Sequence, residues 1–228
     1  SVLVMIPIAL TFYYSVLDWD GLGEKRWIGF GNFAKLMRDE VFVRALGNNL
    51  VYILIVMLMQ LGIGFLIALL LPYLKKGRGF IQTVYYIPSV ITVIAVAQLF
   101  TSFYSYEPIG LFNIFRKLFG LAPIAFLSEY RTVLPAVASV EGWQYIGIYM
   151  LIFYSALVSV SPDIIEAARI DGASETQLLF KVRIPSITNV ILLSGILSLV
   201  GALRGGMANV LLATDIARHA GKVGEVIG

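Results

Sequence analysis

The sequence predicts an all-α integral membrane bundle, and three observations carry that expectation. Of 228 residues, 59% are hydrophobic and 14% charged, against about 25% charge in an ordinary soluble domain, and mean hydropathy is +0.86. The apolar residues gather into five runs close to the length, about 20 residues as helix, that crosses the hydrocarbon core of a bilayer. Inside a run such as LGIGFLIALLL at 61–71, polarity does not alternate as it does along a lipid-facing β-strand. Backbone polar groups in lipid must be paired within their own segment, so such runs are expected to be helices.

Taken in order, the first run is 2–17 (VLVMIPIALTFYYSVL). It starts directly after Ser1, with none of the basic lead of a signal peptide, and reads as the interior of a spanning helix whose beginning is missing. Residues 18–46 mix five acids and five bases with Trp19 and Trp27. Indole rings settle at the headgroup level, and the segment is expected to be a loop at the membrane surface. The second run, 50–74, carries Gln60 as its one strongly polar side chain, and KKGRG at 75–79 turns it back with three bases and no acid. The third run, 81–104, contains Pro88, which can kink a helix and free a carbonyl. A polar face of Gln82, Tyr85, Tyr86 and Ser89 leads into that proline, either lining a pathway or packing on a partner. Residues 108–121 place Leu111, Ile114, Phe115 and Leu118 on one helical face, as an interfacial helix does. The fourth and fifth runs are 132–160 and 187–203, and 204–228 reads as a further loop.

Between the last two runs lies a polar insertion at 161–187, SPDIIEAARIDGASETQLLFKVRIPSI. Ser161 suits an N-cap with Pro162 at the first helical position, and Asp163 and Glu166 suit the positive end of the helix dipole. Asp171-Gly172 is expected to end that helix through a left-handed glycine. Ser174 and Gln177 fit a capping box that opens a second helix, and Pro185 marks the return to the membrane. A helix–turn–helix held outside the bilayer is the predicted form, and the small side chains of Ala167, Ala168 and Ala173 would let another protein approach.

EAARIDGAS, followed by Phe180, Ile184 and Pro185, resembles the EAA loop of the inner-membrane permeases of ABC importers, of the carbohydrate-uptake type related to maltose and glycerol-phosphate permeases. DWDG and IGFGNF in the outer loop, RGF with YYIPSVI at 78–91, and GLFNIFRKLFGL at 110–121 are similar to the same family. The resemblance implies a type I ABC-importer permease bundle, with 1–228 a single transmembrane domain, five spans visible, the first clipped and the last absent. It implies that 161–187 is the cytoplasmic coupling loop, in which Glu166, Ala167, Ala168, Asp171, Gly172, Ile184 and Pro185 engage an ATPase. It implies as partners a second homologous permease subunit, two ATP-binding subunits, an extracytoplasmic solute-binding protein and the bilayer of a bacterial or archaeal plasma membrane. No cofactor is expected in this chain, since ATP and Mg belong to the ATPase and no GxxxxGK[ST] loop occurs here. GGMAN at 205–209 is similar to the family's outer GGP-type loop, with Met207 where Pro is usual, and Asp215, Ala217 and Gly221 depart from its pattern.

Within the fourth run Glu141 is the only acid, and Gln144, Tyr145 and Tyr149 share its helical face. Two readings stand. The stripe can hold a sugar, with carboxylate and amide on hydroxyls and aromatic rings over the apolar faces, or it can serve hydrogen bonding between helices. The second reading is preferred for Gln60 and Gln98. The family resemblance places solute contacts at Glu141, Tyr145 and Ile148, then at Ser198 and Ala202. A sugar or oligosaccharide is the expected solute, with a polyol, phosphate ester or polyamine as alternatives and a self-contained secondary carrier as the competing class.

Other classes find little footing. A net charge of +3, in clusters between apolar runs, makes no basic face for nucleic acid. The absence of Cys excludes disulfides and thiolate metal sites, and the lone His219 reads as a loop residue rather than a ligand. With no paired intramembrane aspartates, Ser/His pair or HExxH, the chain is expected to be no enzyme. Orientation stays open, because six Lys/Arg fall on the side of the coupling loop and eight on the other.

Overall fold

The computed structural model describes residues 2–74 and 76–205. His219, Met207, Asp215, Ala217, Gly221 and all but the first two residues of the expected 204–228 loop lie outside them. The chain divides into two compact units, Ser1–Leu50 and the chain from Val51 on.

In the first unit, helix α1 (Val2–Ser15) leads into a two-stranded antiparallel hairpin, β1 (Leu17–Asp18) and β2 (Arg26–Trp27), in which Leu17 faces Trp27. Asp20 shapes the hairpin loop by accepting from the backbone N–H groups of Leu22 at 3.0 Å and Gly23 at 2.8 Å. Those bonds hold its carboxyl below the usual carboxylate range. Lys25 lies over the ring of Trp19, 4.7 Å from its centroid, and Tyr14 stacks on the same indole. Asn32, in α2 (Gly31–Arg38), donates to the carbonyls of Ser15 and Leu17 and so ties that helix to the hairpin. The expected loop at 18–46 is therefore partly regular structure, and its last residues already belong to the next helix.

That helix runs from Glu40 to Tyr73. It comprises α3 (Glu40–Met57), a π-helical turn at Leu58–Ile63, α4 (Gly64–Leu70) and a closing 3-10 turn at Leu71–Tyr73. Leu54, Leu58, Leu66 and Leu70 form an exposed row along it, as suits a face turned to lipid or a partner. Arg78 closes its C-terminal end by donating to the carbonyls of Leu71, Pro72 and Leu74, while its third nitrogen reaches the Tyr154 hydroxyl at 2.9 Å. Orphan carbonyls at a helix end attract a cation in this way.

The expected span at 81–104 is broken near Pro88. It is two helices, α5 (Arg78–Val90) and α6 (Val93–Tyr104), bent 100° from one another. Pro88 weakens the helix from within, Ile91 turns extended, and Thr92 restarts it by accepting from the Ala95 N–H at 3.4 Å. Three helices in the described residues are long and apolar enough to cross a membrane by themselves, and a fourth crossing exists if the bent pair counts as one. The first expected span, α1, is shorter than a full crossing.

Helix α7 (Leu111–Leu118) exposes the predicted apolar face, Leu111, Ile114, Phe115 and Leu118. Its other side is fixed by Phe112, packed among Phe100, Tyr104 and Phe126, and by the fully buried Asn113. That amide is used completely. It donates to Ser105 and Ile124 carbonyls and accepts the Ile124 N–H, as a buried amide must.

Helix α8 (Tyr130–Val158) is the centre of the second unit, with 61% of its most apolar stretch buried, against 22% and 17% for the other two long helices. Small residues make this possible. Gly147 lies against the Tyr85 carbonyl of α5, and a Cβ on Gly142 would stand 2.8 Å from Met59. At one end α8 packs Tyr149, Met150, Phe153 and Leu157 against Ala68 and Leu71. At the other, Ala136 and Val140 meet Val96, Phe100 and Tyr104. The last helix among the described residues, α12 (Thr188–Gly205), continues two residues past the expected end of its span.

Candidate functional site

The face of α8 that carries Glu141, Gln144, Tyr145, Ile148 and Tyr149 borders one cavity of about 390 Å³. The remaining wall comes from Gln60 in the π-helical turn, from the start of α6, and from Gly201, Arg204 and Gly205 at the end of α12. The five α8 residues named from spacing and resemblance are thus neighbours on one surface.

Their hydrogen bonds separate two kinds of residue. Gln144 is 3% exposed and donates to the Ile91 carbonyl at 3.0 Å, filling the need created where the α5–α6 pair breaks. Gln60 holds three helices together. Its amide nitrogen donates to the Glu141 carbonyl at 3.4 Å, and its oxygen accepts from Ser198 at 2.7 Å. Glu141 accepts a hydrogen bond from the Tyr52 hydroxyl, and its carboxylate lies against Gly205, where any side chain would have to push it aside. Gln60 and Gln144 are therefore spent on the bundle. Glu141, bonded to Tyr52, and Tyr145, Tyr149 and Arg204 are the other polar residues of the cavity wall.

Ser198 and Ala202, named through the family resemblance, are buried and do not border this cavity. Ser198 acts on it through Gln60, and Ala202 packs beside Tyr52, Val56 and Ala138. The polar face of Gln82, Tyr85, Tyr86 and Ser89 does not line it either. Arg204 is the residue that sequence reading missed, because it was assigned to a loop. A helical register carried three residues beyond Gly201 would have placed it on the same wall.

At the far end of α8, Ser159–Ser161 lead directly into α9 (Pro162–Ile170). Pro162 takes the first helical position, but Ser161 makes no side-chain cap bond. At the end of α9 Gly172 has φ +83°, with its N–H on the Arg169 carbonyl and the Ala173 N–H on the Ala168 carbonyl, both at 3.0 Å. These two bonds make a Schellman motif. The capping box is present, with Ser174 accepting from the Gln177 N–H and the Gln177 side chain accepting from the Ser174 N–H. It opens α10 (Glu175–Gln177), which passes through a π-helical turn at Leu178–Arg183 into α11 (Ile184–Ser186).

Pro185 and Ile184 therefore belong to the last turn before α12. Glu166, Ala167, Asp171 and Gly172 are exposed on the loop, and Ala168 is half-buried. Three large apolar side chains stand in solvent beside them, Ile164, Phe180 and Ile170, the last 86% exposed. Ile164 and Ile170 were not singled out from sequence.

Comparison with known proteins bears on this arrangement. Residues 60–221 match the family model described as binding-protein-dependent transport system inner membrane component. A probable ABC transporter permease protein of Bacillus subtilis, YurN, is 31% identical over 87% of this chain and 70% of its own length. The xylose/arabinose import permease protein XacH of Haloferax volcanii is 28% identical over 99% of this chain and 75% of its own length. The diacetylchitobiose uptake system permease protein NgcF of Streptomyces coelicolor is 30% identical over 82% of this chain, which spans only 56% of that relative. Among solved structures, a bacterial ABC transporter that imports the acidic polysaccharide alginate matches with a TM-score of 0.71 and 25% identity. That match covers 93% of this chain and 77% of the other.

Proposed function

This chain belongs to the family of binding-protein-dependent transport system inner membrane components, and from that membership we propose that it forms half of a translocation pathway for a sugar or oligosaccharide. It is a multi-pass permease subunit of the inner membrane, and ATP hydrolysis belongs to a partner subunit. The proposed assembly adds a second permease, two ATP-binding subunits and an extracytoplasmic solute-binding protein. One relative was crystallised with a periplasmic protein holding an alginate pentasaccharide, which supports that last partner.

A single observation carries the reading. The helix that presents Glu141, Tyr145 and Tyr149 to the cavity is the same α8 that runs into the coupling helix α9. From Tyr149 to Pro162 is roughly 20 Å at 1.5 Å per helical residue. A well-packed rod transmits displacement over that distance, so an ATPase moving α9 moves the cavity wall. Phenol rings suit the apolar faces of a sugar, and the carboxylate and guanidinium suit its hydroxyls. Arg204 in the same wall disfavours a polyamine, which would meet a like charge in a low-dielectric setting. It leaves room for a sugar that bears a carboxylate.

The test is transport by the full complex in proteoliposomes, with candidate sugars loaded on the binding protein. Tyr145→Ala and Glu141→Gln are expected to lower uptake while ATPase assembly is retained. Uptake at wild-type rates in both variants would remove this cavity from the pathway.

A further inference from the structure

The helices that wall the cavity are attached to one another in two different ways. The helix from Glu40 to Tyr73 is pressed onto α8 almost backbone to backbone. A Cβ on Gly64 would stand 3.1 Å from the Met150 nitrogen and 3.2 Å from the Ile146 carbonyl oxygen, and one on Gly142 would stand 2.8 Å from Met59. Contacts that close leave no room to slide, so the two helices behave as one body. α12 is held more lightly. Its buried residues among those described are Ser194, Ser198 and Ala202, spaced four positions apart, while Leu192, Leu193, Ile196 and Leu203 stand exposed. A thin stripe of small side chains offers little resistance to shear, the sliding by which packed helices shift.

Across that stripe Ser198 donates to the Gln60 oxygen at 2.7 Å, and both residues are buried. Gln60 can present its oxygen because its amide nitrogen is turned to the Glu141 carbonyl and because its helix leaves α-geometry at Leu58–Ile63. Single π-helical turns within α-helices are frequent at functional positions. The two helices on which Gln60 acts are also the two that flank the coupling loop, since α8 runs into α9 and α12 follows α11.

We propose that Gln60 and Ser198 form a latch that holds α12 against the α8 body in the resting state and opens when the ATPases draw on the coupling loop. The wall of Gly201, Arg204 and Gly205 then shifts past the wall of Glu141 and Tyr145. Gln60 is thus a positioning residue, which borders the cavity while both ends of its amide are turned to neighbouring helices. The inference rests on the reading that the coupling loop drives the cavity walls. A bond made only in the resting state favours that state, so its loss moves the equilibrium toward the shifted one and lets ATP turn over without a loaded binding protein.

The experiment measures ATP turnover by the assembled importer in nanodiscs, with no binding protein and no solute. Gln60→Met keeps the length of the side chain and loses both amide atoms, and Ser198→Ala removes the hydroxyl. Each is expected to raise turnover roughly two- to ten-fold, the shift set by the net worth of one hydrogen bond. The double variant is expected to match Gln60→Met, because both substitutions break the same bond. In uptake with loaded binding protein, the half-saturating solute concentration is expected to stay at the wild-type value. Unstimulated turnover at the wild-type rate in both variants would overturn the latch, even if their melting temperatures fell, because the bond would then be a static tie. So would effects that multiply in the double variant, or a change confined to the half-saturating concentration, which would make Gln60 a solute contact. Should Gln60→Met fail to assemble, Ser198→Ala decides alone. No solute is present in the turnover measurement, so its outcome is separate from that of the Tyr145→Ala uptake test of the pathway reading.

Discussion

Replacing Gly172 by Ala isolates one physical quantity, because nothing lies within 4 Å of where its Cβ would be. The substitution creates no clash, so its whole cost is the backbone at φ +83°. For a residue with a Cβ that conformation costs about 1–2 kcal/mol. The loop can relieve the strain only by giving up the Schellman bonds from Gly172 and Ala173, which turns the exposed face of α9 and its Glu166. If the ATPase docks on the glycine geometry, docking then weakens by roughly five- to thirty-fold. The assay is ATP turnover stimulated by the loaded binding protein, measured against ATPase concentration in nanodiscs. Gly172→Ala is expected to shift that curve to higher concentration while the melting temperature of the permease stays near wild type. Gly172→Asn is expected to recover most of the loss, since asparagine tolerates the left-handed region. Curves that coincide for all three proteins would refute the claim that coupling uses this turn.

Other substitutions probe the remaining links. Glu166→Lys, on an exposed surface, is expected to leave the complex assembling, as judged by copurification, while stimulated hydrolysis is lost. Ile170→Ser removes the most exposed of the three apolar loop side chains. It is expected to weaken copurification of the ATPase by a factor of several, as losing about 1–2 kcal/mol of interface burial would. Gln144→Leu leaves the Ile91 carbonyl without its donor and should cost about 1–3 kcal/mol, read as a lower melting temperature in detergent. Gly147→Ala drives a methyl group into the Tyr85 carbonyl and forces α5 and α8 apart. Its cost is expected to exceed the roughly 1–3 kcal/mol of ordinary overpacking, and the yield of folded protein should fall sharply.

Sequence by itself determined whatever depends on local chemistry. Runs of apolar residues had to become helices, because lipid offers the backbone no other partner. The glycine at 172, the Ser174–Gln177 box and the amphipathic face of 111–118 depend on neighbours within a few positions, so they could be read in place. The 3.6-residue period set Glu141, Gln144, Tyr145 and Tyr149 on one face before any fold was known, and the family resemblance added Ile148. Tertiary structure alone decided which polar groups the bundle uses for itself. Gln144 is consumed because α5 and α6 bend and expose the Ile91 carbonyl, and Gln60 because α12 brings Ser198 to it. Arg204 enters the cavity because α12 outlasts its apolar run. These outcomes join residues that stand dozens of positions apart. A hydrogen bond across that distance is set by how helices pack, and no local pattern encodes it.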